Sequence, residues 1–282
     1  MHRITGFLIT SLLTPTLLLG ETMLFQEGVE GYTHQEDLCI NPAGGIWTSD
    51  ARLAMDASPR YQALIRFDYI FGVASNQIPP SAEIMYAAIK LKTGSRISSY
   101  SGTINDIGIY QVNVAWTEQS RWGDFSTLGD TLGAKAVSTL IGTYTTTISN
   151  DETTSFDITA AAKAWHAGTS TNHGILLVND GNDGCDFWSD ASPNVHERPI
   201  LEVNYIMPPA MVPSISSDLM ELTFQAESNI IYQPQWCTNI TDGSWQNAGG
   251  GVTGINSVIT WQHTISGQVD QSYFRLTINR DP

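Results

Sequence analysis

The stretch Tyr61-Gln62-Ala63-Leu64-Ile65-Arg66-Phe67 places Ala63, Ile65 and Phe67 at every second position, the period of a strand and not of a helix. Ala87-Ala88-Ile89-Lys90-Leu91-Lys92 repeats the alternation with its lysines on the outward face. Tyr110, Val112 and Val114 share one face of a strand predicted to end at Trp116, and Leu201, Val203 and Tyr205 share another. Pro79-Pro80, Asp180-Gly181 and Asp183-Gly184 punctuate these runs as turn signals. Short alternating segments separated in this way predict an all-β sandwich. The Ala-rich run Asp157–Trp165 is the exception and predicts one short helix. Thr159 or Asp157 would cap it, Gly168 lies past its end, and Ile158, Ala161, Ala162 and Trp165 form its buried stripe.

The stretch 207–214 carries three prolines, and 207–217 reads as a Pro-rich linker. Beyond it, alternation over 219–226, 230–237, 257–264 and 272–278 predicts a smaller all-β sandwich module, residues 218–282. At the other end, Met1-His2-Arg3 and the apolar run Phe7–Leu19, closed by Gly20, read as a signal peptide over 1–20. Residues 21–206 are then the main domain. No later stretch has the length of a membrane span, so the mature chain is expected to carry no transmembrane segment and to be secreted or held at the cell surface.

Composition narrows the function. Hydrophobic residues make up 41% of the 282, enough for a core, while charged residues are only 15% against roughly 25% in an average soluble chain. The balance is 28 acidic to 13 basic residues, net −15. A chain this acidic repels phosphate, which argues against nucleic acid and anionic membranes as partners. Cys39, Cys185 and Cys237 are an odd number with no metal-ligand spacing. One disulfide with a spare thiol, or three small buried hydrophobes, both satisfy the count.

Several ordered motifs resemble a known family. They begin with Ala63-Leu64-Ile65-Arg66-Phe67-Asp68-Tyr69-Ile70-Phe71-Gly72 and Gln77-Ile78-Pro79-Pro80-Ser81-Ala82-Glu83-Ile84. Tyr110-Gln111-Val112 with Trp116-Thr117-Glu118, Phe156-Asp157-Ile158-Thr159 with Trp165, Asn172-His173-Gly174-Ile175 and Asp186-Phe187-Trp188-Ser189 follow. Arg198-Pro199-Ile200-Leu201-Glu202-Val203 closes the series. Over about 22–206 the chain resembles the DNRLRE domain family, also classed as carbohydrate-binding module family 96 and related to disaggregatase repeats. The resemblance implies a jelly-roll-like β-sandwich that binds polysaccharide or cell-surface glycan without catalysis. The C-terminal part, with Tyr273-Phe274-Arg275-Leu276, resembles a small module of secreted bacterial proteins.

Sugar binding needs aromatic faces and planar hydrogen-bonding groups. Trp47, Trp122 and Trp188 lie in Gly/Ser/Asp-rich segments, and Arg52, Arg60 and Arg66 are among the basic side chains that follow the acidic stretch 21–51. These six are the candidate ligand-binding residues, with Trp47 leading. Arg66 points away from the face of Ile65 and Phe67, and a structural pair with a carboxylate such as Asp68 or Asp157 is expected for it. Residues 21–51 hold six acids and no Lys or Arg, so a neutral glycan is the better expectation than a polyanion. No cofactor is required. Asp180, Asn182, Asp183 and Asp186 are a candidate structural calcium site, although Asx-turn chemistry accounts for the same residues.

No G-x-S-x-G, H-E-x-x-H or P-loop occurs, and the histidines lack metal-ligand spacing. Three readings follow: a carbohydrate-binding sandwich, a structural or adhesive surface protein, and a polysaccharide hydrolase or lyase. A buried carboxylate pair with raised pKa in a cleft would mark the last.

Overall fold

The computed structural model describes residues 20–44, 46–47, 51–58, 60–93, 104–125, 132–149, 151–181, 184–216, 219–239, 241, 243–264 and 273–280. The signal peptide expected over 1–20 therefore falls almost wholly outside the described residues. The first unit, Glu21–Ile206, begins with β1 (Glu21–Gln26), β2 (Gln35–Ile40), β3 (Ile46–Trp47), β4 (Arg52–Ala57), β5 (Arg60–Phe67), β6 (Glu83–Lys92) and β7 (Ile104–Val112). It continues with α1 (Trp122–Phe125), β8 (Ser138–Thr147), β9 (Thr153–Asp157), α2 (Thr159–His166), β10 (Ile175–Asn179), β11 (Cys185–Trp188) and β12 (Ile200–Ile206). One sheet runs β1-β12-β6-β9. The other runs β11-β4-β5-β10-β7-β8, with β2 also on β5 and β3 on β2. Every pairing between these strands is antiparallel, and β1 lies against β12, Glu21 opposite Tyr205. This is the expected all-β sandwich.

The two sheets meet differently at their two sides. On one side β4 touches β5 only at Asp56–Tyr61 and Ala57–Arg60, then pairs with β11, whose Phe187 bridges to Thr93 just beyond β6. That side is closed by backbone pairing. On the other side β8 ends one sheet and β9 the other, so the sandwich has an open edge there.

Alternation decides what faces inward. Ala63, Ile65 and Phe67 of β5 and Leu201, Val203 and Tyr205 of β12 are all at most 3% exposed. Phe67 stacks on Tyr32, which meets Phe25 of β1 edge-on, so an aromatic chain links the sheets. Each of the larger side chains, such as Ile65, Phe67, Leu201 and Val203, contributes about 1.5–3 kcal/mol.

The opposite face of β5 is buried too, which the simple alternation did not predict. Leu38, Ile40, Leu64, Leu176 and Val178 form a second core with Val112, Trp116, Trp122, Phe125 and Ala134. The covering residues come from the excursion 113–137 between β7 and β8. Gln62 anchors it, donating to Leu132 O at 2.8 Å and accepting from Ala134 N at 3.1 Å. The strand expected to reach Trp116 therefore ends at Val112, and Val114 is 36% exposed. The chain leaves the sheet here because Asn113 N bonds Val137 O, closing the neck of the excursion.

The helix forms where the Ala run predicted it. The expected cap is a correction: Ile158 holds the N-cap position without a side-chain cap, while Asp157 Oδ1 accepts from Thr159 N at 2.8 Å as a turn just ahead of the helix. Ile158, Ala161, Ala162 and Trp165 are all buried.

Met207–Pro282 belong to a second compact unit. It contains β13 (Val212–Ser216), β14 (Leu219–Ala226), β15 (Ile230–Cys237), β16 (Gln246–Asn247), β17 (Val252–Thr253), β18 (Ser257–Thr264) and β19 (Tyr273–Arg280). One sheet is β13-β14-β18; in the other, β15 pairs β16, β17 and β19. Phe224 and Tyr232 meet between them at 5.1 Å. The expected linker over 207–217 is too long, because Val212–Ser216 pair with Leu219–Thr223 as an edge strand. Pro213 is tolerated there because an edge strand need not donate along its outer side.

Candidate functional site

The residues expected to bind ligand do not form one site. Trp47 lies in β3 with its backbone opposite Cys39, and its side chain falls outside the described residues. Arg52 and the half-buried Trp188 are cross-strand neighbours, and Arg52 is paired with Asp186 at 3.3 Å. Arg60 opens β5 opposite Ala57.

Trp122 is a correction. It is only 6% exposed and sits in the second core over Gly133, where a Cβ would lie 2.7 Å from its ring. Gly133 has φ +58, so both the conformation and the space require glycine. The polar composition around Trp122 suggested a wet loop, but the loop folds back onto the sheet.

Arg66 takes the structural role expected of it. Its side chain is 12% exposed, with Nε 3.0 Å from Asp68 Oδ2 and Nη2 2.5 Å from Glu36 Oε2. Nη1 donates to Trp116 O at 3.0 Å, and the guanidinium lies over the Trp116 ring. Trp116 Nε1 in turn donates to His173 O at 2.7 Å. Burial, and then the charge of Arg66, hold the His173 ring below the ordinary histidine pKa.

The expected calcium loop is engaged elsewhere. Asp180 pairs with Lys135 at 2.7 Å and Asp186 with Arg52, while Asn182 and Asp183 lie outside the described residues. Among the described residues no three His, Cys, Asp or Glu side chains are grouped to hold a metal. Cys39, Cys185 and Cys237 are free and buried, and burial pushes the Cys39 thiol up to about 12.

A groove of about 600 Å³ occupies the open edge of the first unit. One wall is mainly apolar and comes from Ile109 of β7 with Ile141, Gly142, Thr143 and Tyr144 of β8. The other is polar and comes from Ser155 and Asp157 of β9 with Thr159 and Lys163 of α2. Tyr144 packs 5.2 Å from Phe156, which fixes its ring, while Asp157 and Lys163 are exposed. An apolar wall facing a few convergent polar groups is the usual make-up of a ligand groove. None of the six candidate residues lines it. In the sequence Tyr144 is one aromatic in a Thr-rich strand, and Asp157 and Thr159 read as helix caps.

A second aromatic feature is Tyr69, which is 69% exposed and held at φ +55, a conformation unusual for a bulky residue. Its ring lies 4.7 Å from that of His34, and Gln77 Nε2 fixes its carbonyl at 2.9 Å.

Asp37 and Asp190 form a carboxylate pair across the end of the sandwich. Asp37 Oδ2 accepts from Asp190 N at 2.7 Å and from Gln35 Nε2 at 3.1 Å. Burial, and then the charge of Asp190, push Asp37 well above the usual carboxylate range. Burial and the charges of Glu118 and Glu27 raise Asp190 to about 6. Raised carboxylates are what a hydrolase would show, yet Asp37 is 2% exposed and closed to a polymer substrate.

No family model matches the chain. A segment of 65 residues is 38% identical to the tRNA3(Ser)-specific nuclease WapA of Bacillus spizizenii and 37% identical to the tRNA nuclease WapA of Bacillus subtilis. It makes up 22% of this chain, which spans only 3% of the length of those curated relatives. Among solved structures, a β-1,2-glucanase from Parabacteroides distasonis aligns over 88% of this chain and 34% of its own, at 11% identity and a TM-score of 0.19. An overlap that low carries no argument. No helix of the described residues is long and apolar enough to cross a membrane.

Proposed function

We propose that this chain is a secreted or surface-held, non-catalytic carbohydrate-binding protein, and that its first unit binds a neutral polysaccharide in the groove between β8 and β9. The observation that carries the reading is the groove itself, with the fixed Tyr144 ring on one wall and Ser155, Asp157, Thr159 and Lys163 on the other. Sugar C–H faces pack on such a ring, and the opposing hydroxyl, carboxylate and ammonium groups suit sugar hydroxyls. The resemblance of the motifs over about 22–206 to the DNRLRE family supports the same reading. One ring and a few hydroxyl contacts give affinities on the order of micromolar to millimolar.

The test is a screen of neutral polysaccharides against the purified chain, followed by Tyr144→Ala and Lys163→Ala. Tyr144→Ala should weaken binding about tenfold, or about 1.4 kcal/mol. Binding should change little with added salt. Absence of binding to every neutral glycan, or binding indifferent to Tyr144, would remove the proposal.

A further inference from the structure

Among the described residues of the first unit, two buried side-chain oxygens accept no hydrogen bond, Gln35 Oε1 and Asp37 Oδ1. In β2 the register puts Glu36, Leu38 and Ile40 toward the excursion 113–137, and Gln35, Asp37 and Cys39 toward the interior. Gln35 is 5% exposed and Asp37 is 2% exposed. The Gln35 amide is turned onto the carboxylate, because its Nε2 donates to Asp37 Oδ2. That oxygen also takes Asp190 N, so Asp37 is satisfied at Oδ2 and bare at Oδ1. Turning the Gln35 amide over does not help, since its oxygen would then face Asp37 Oδ2. Buried acceptors without donors are costly and call for a bound species.

The surrounding charge specifies the sign of that species. Asp37 and Asp190 lie within the field of Glu118, and Asp190 within that of Glu27 as well. The Arg198 guanidinium offsets part of this field at Asp190. Arg66 is held by Glu36 and Asp68, and Arg198 donates to Ser192 O and Glu27 O. The Cys39 thiol is turned to Ala54 O at 3.5 Å, which leaves an oxygen-only donor set.

We propose that a calcium ion binds between β2 and the loop after β11, with Asp37 Oδ1, Gln35 Oε1 and the Asp190 carboxylate as its protein ligands and water completing the shell. Calcium takes six to eight oxygen ligands in flexible geometry, and it tolerates a site with two carboxylates and an amide where magnesium demands a strict octahedron. The ion would tie together residues 153 apart in sequence, Asp37 and Asp190, at one end of the sandwich. This site shares no residue with the groove between β8 and β9 or with the expected calcium cluster Asp180, Asn182, Asp183 and Asp186.

The experiment uses the full chain, stripped with EDTA and melted with and without about 5 mM calcium chloride, in excess over the affinities of extracellular calcium modules. Calcium should raise the melting temperature by at least about 3 °C. Asp190→Asn, a half-buried position that leaves the core intact, should abolish the rise, and so should Asp37→Asn. Asp180→Asn should retain it. An absent rise in the wild-type chain overturns the proposal, as does a rise that survives both Asp37→Asn and Asp190→Asn. A rise lost in Asp180→Asn, or given equally by magnesium, also overturns it.

Discussion

The guanidinium of Arg66 lies 4.9 Å from the centre of the Trp116 ring and donates to the carbonyl of the same residue at 3.0 Å. One side chain thus fastens the start of the excursion 113–137 to the sheet that it covers. Arg66→Ala leaves Glu36, Asp68 and the Trp116 carbonyl without their shared cation and should cost about 3 kcal/mol. Arg66→Lys should recover only part of this, because an ammonium cannot stack on the ring while bonding three oxygens. Urea denaturation reads both; a lysine variant of wild-type stability would show that the planar fork is dispensable.

Trp122 fills the space between α1, Gly133 and the outer face of the sheet. Trp122→Ala should destabilise the first unit by about 3–5 kcal/mol, the usual cost of an emptied aromatic site. Glycan affinity of the folded fraction should stay unchanged. Gly133→Ala should also destabilise, since its backbone is left-handed and its Cβ position is already occupied by the indole. A Trp122 variant that melts normally but loses binding would return this residue to the ligand site.

Limited proteolysis should cut first within 207–211, ahead of the edge strand β13. A fragment starting at Val212 should melt above one starting at Leu219, because the shorter piece exposes the edge of β14. Equal melting temperatures would return residues 212–216 to the linker.

His173 supplies a pH dependence with a definite sign. Its pKa in the folded chain lies below the ordinary histidine value, so the folded state binds this proton less readily than the unfolded state. The stability it supports is present above about pH 6.5 and is lost as pH falls through the folded value. Thermal melts should therefore fall modestly between about pH 6.5 and 5, and His173→Gln should flatten that part of the curve. The same slope in the variant would assign the effect to other groups.

Much of the fold was legible as local pattern. Period-two alternation located β5, β14, β15 and β18 to within a residue, because a strand buried on its inner face must alternate whatever lies beyond it. The Ala run and Gly168 likewise marked α2 from neighbours in sequence, although the N-cap falls on Ile158 and not on Asp157 or Thr159. Tertiary structure alone decided that Trp122 is core and that β5 is buried on both faces, since both depend on where the excursion 113–137 lands. It also brought Tyr144 to Lys163 across an open edge, and Asp37 to Asp190 across 153 residues. Backbone periodicity is imposed by hydrogen bonding and side-chain geometry within a few residues. The burial of a loop aromatic, or the meeting of two carboxylates, is set by packing between segments whose separation in sequence carries no trace of their contact.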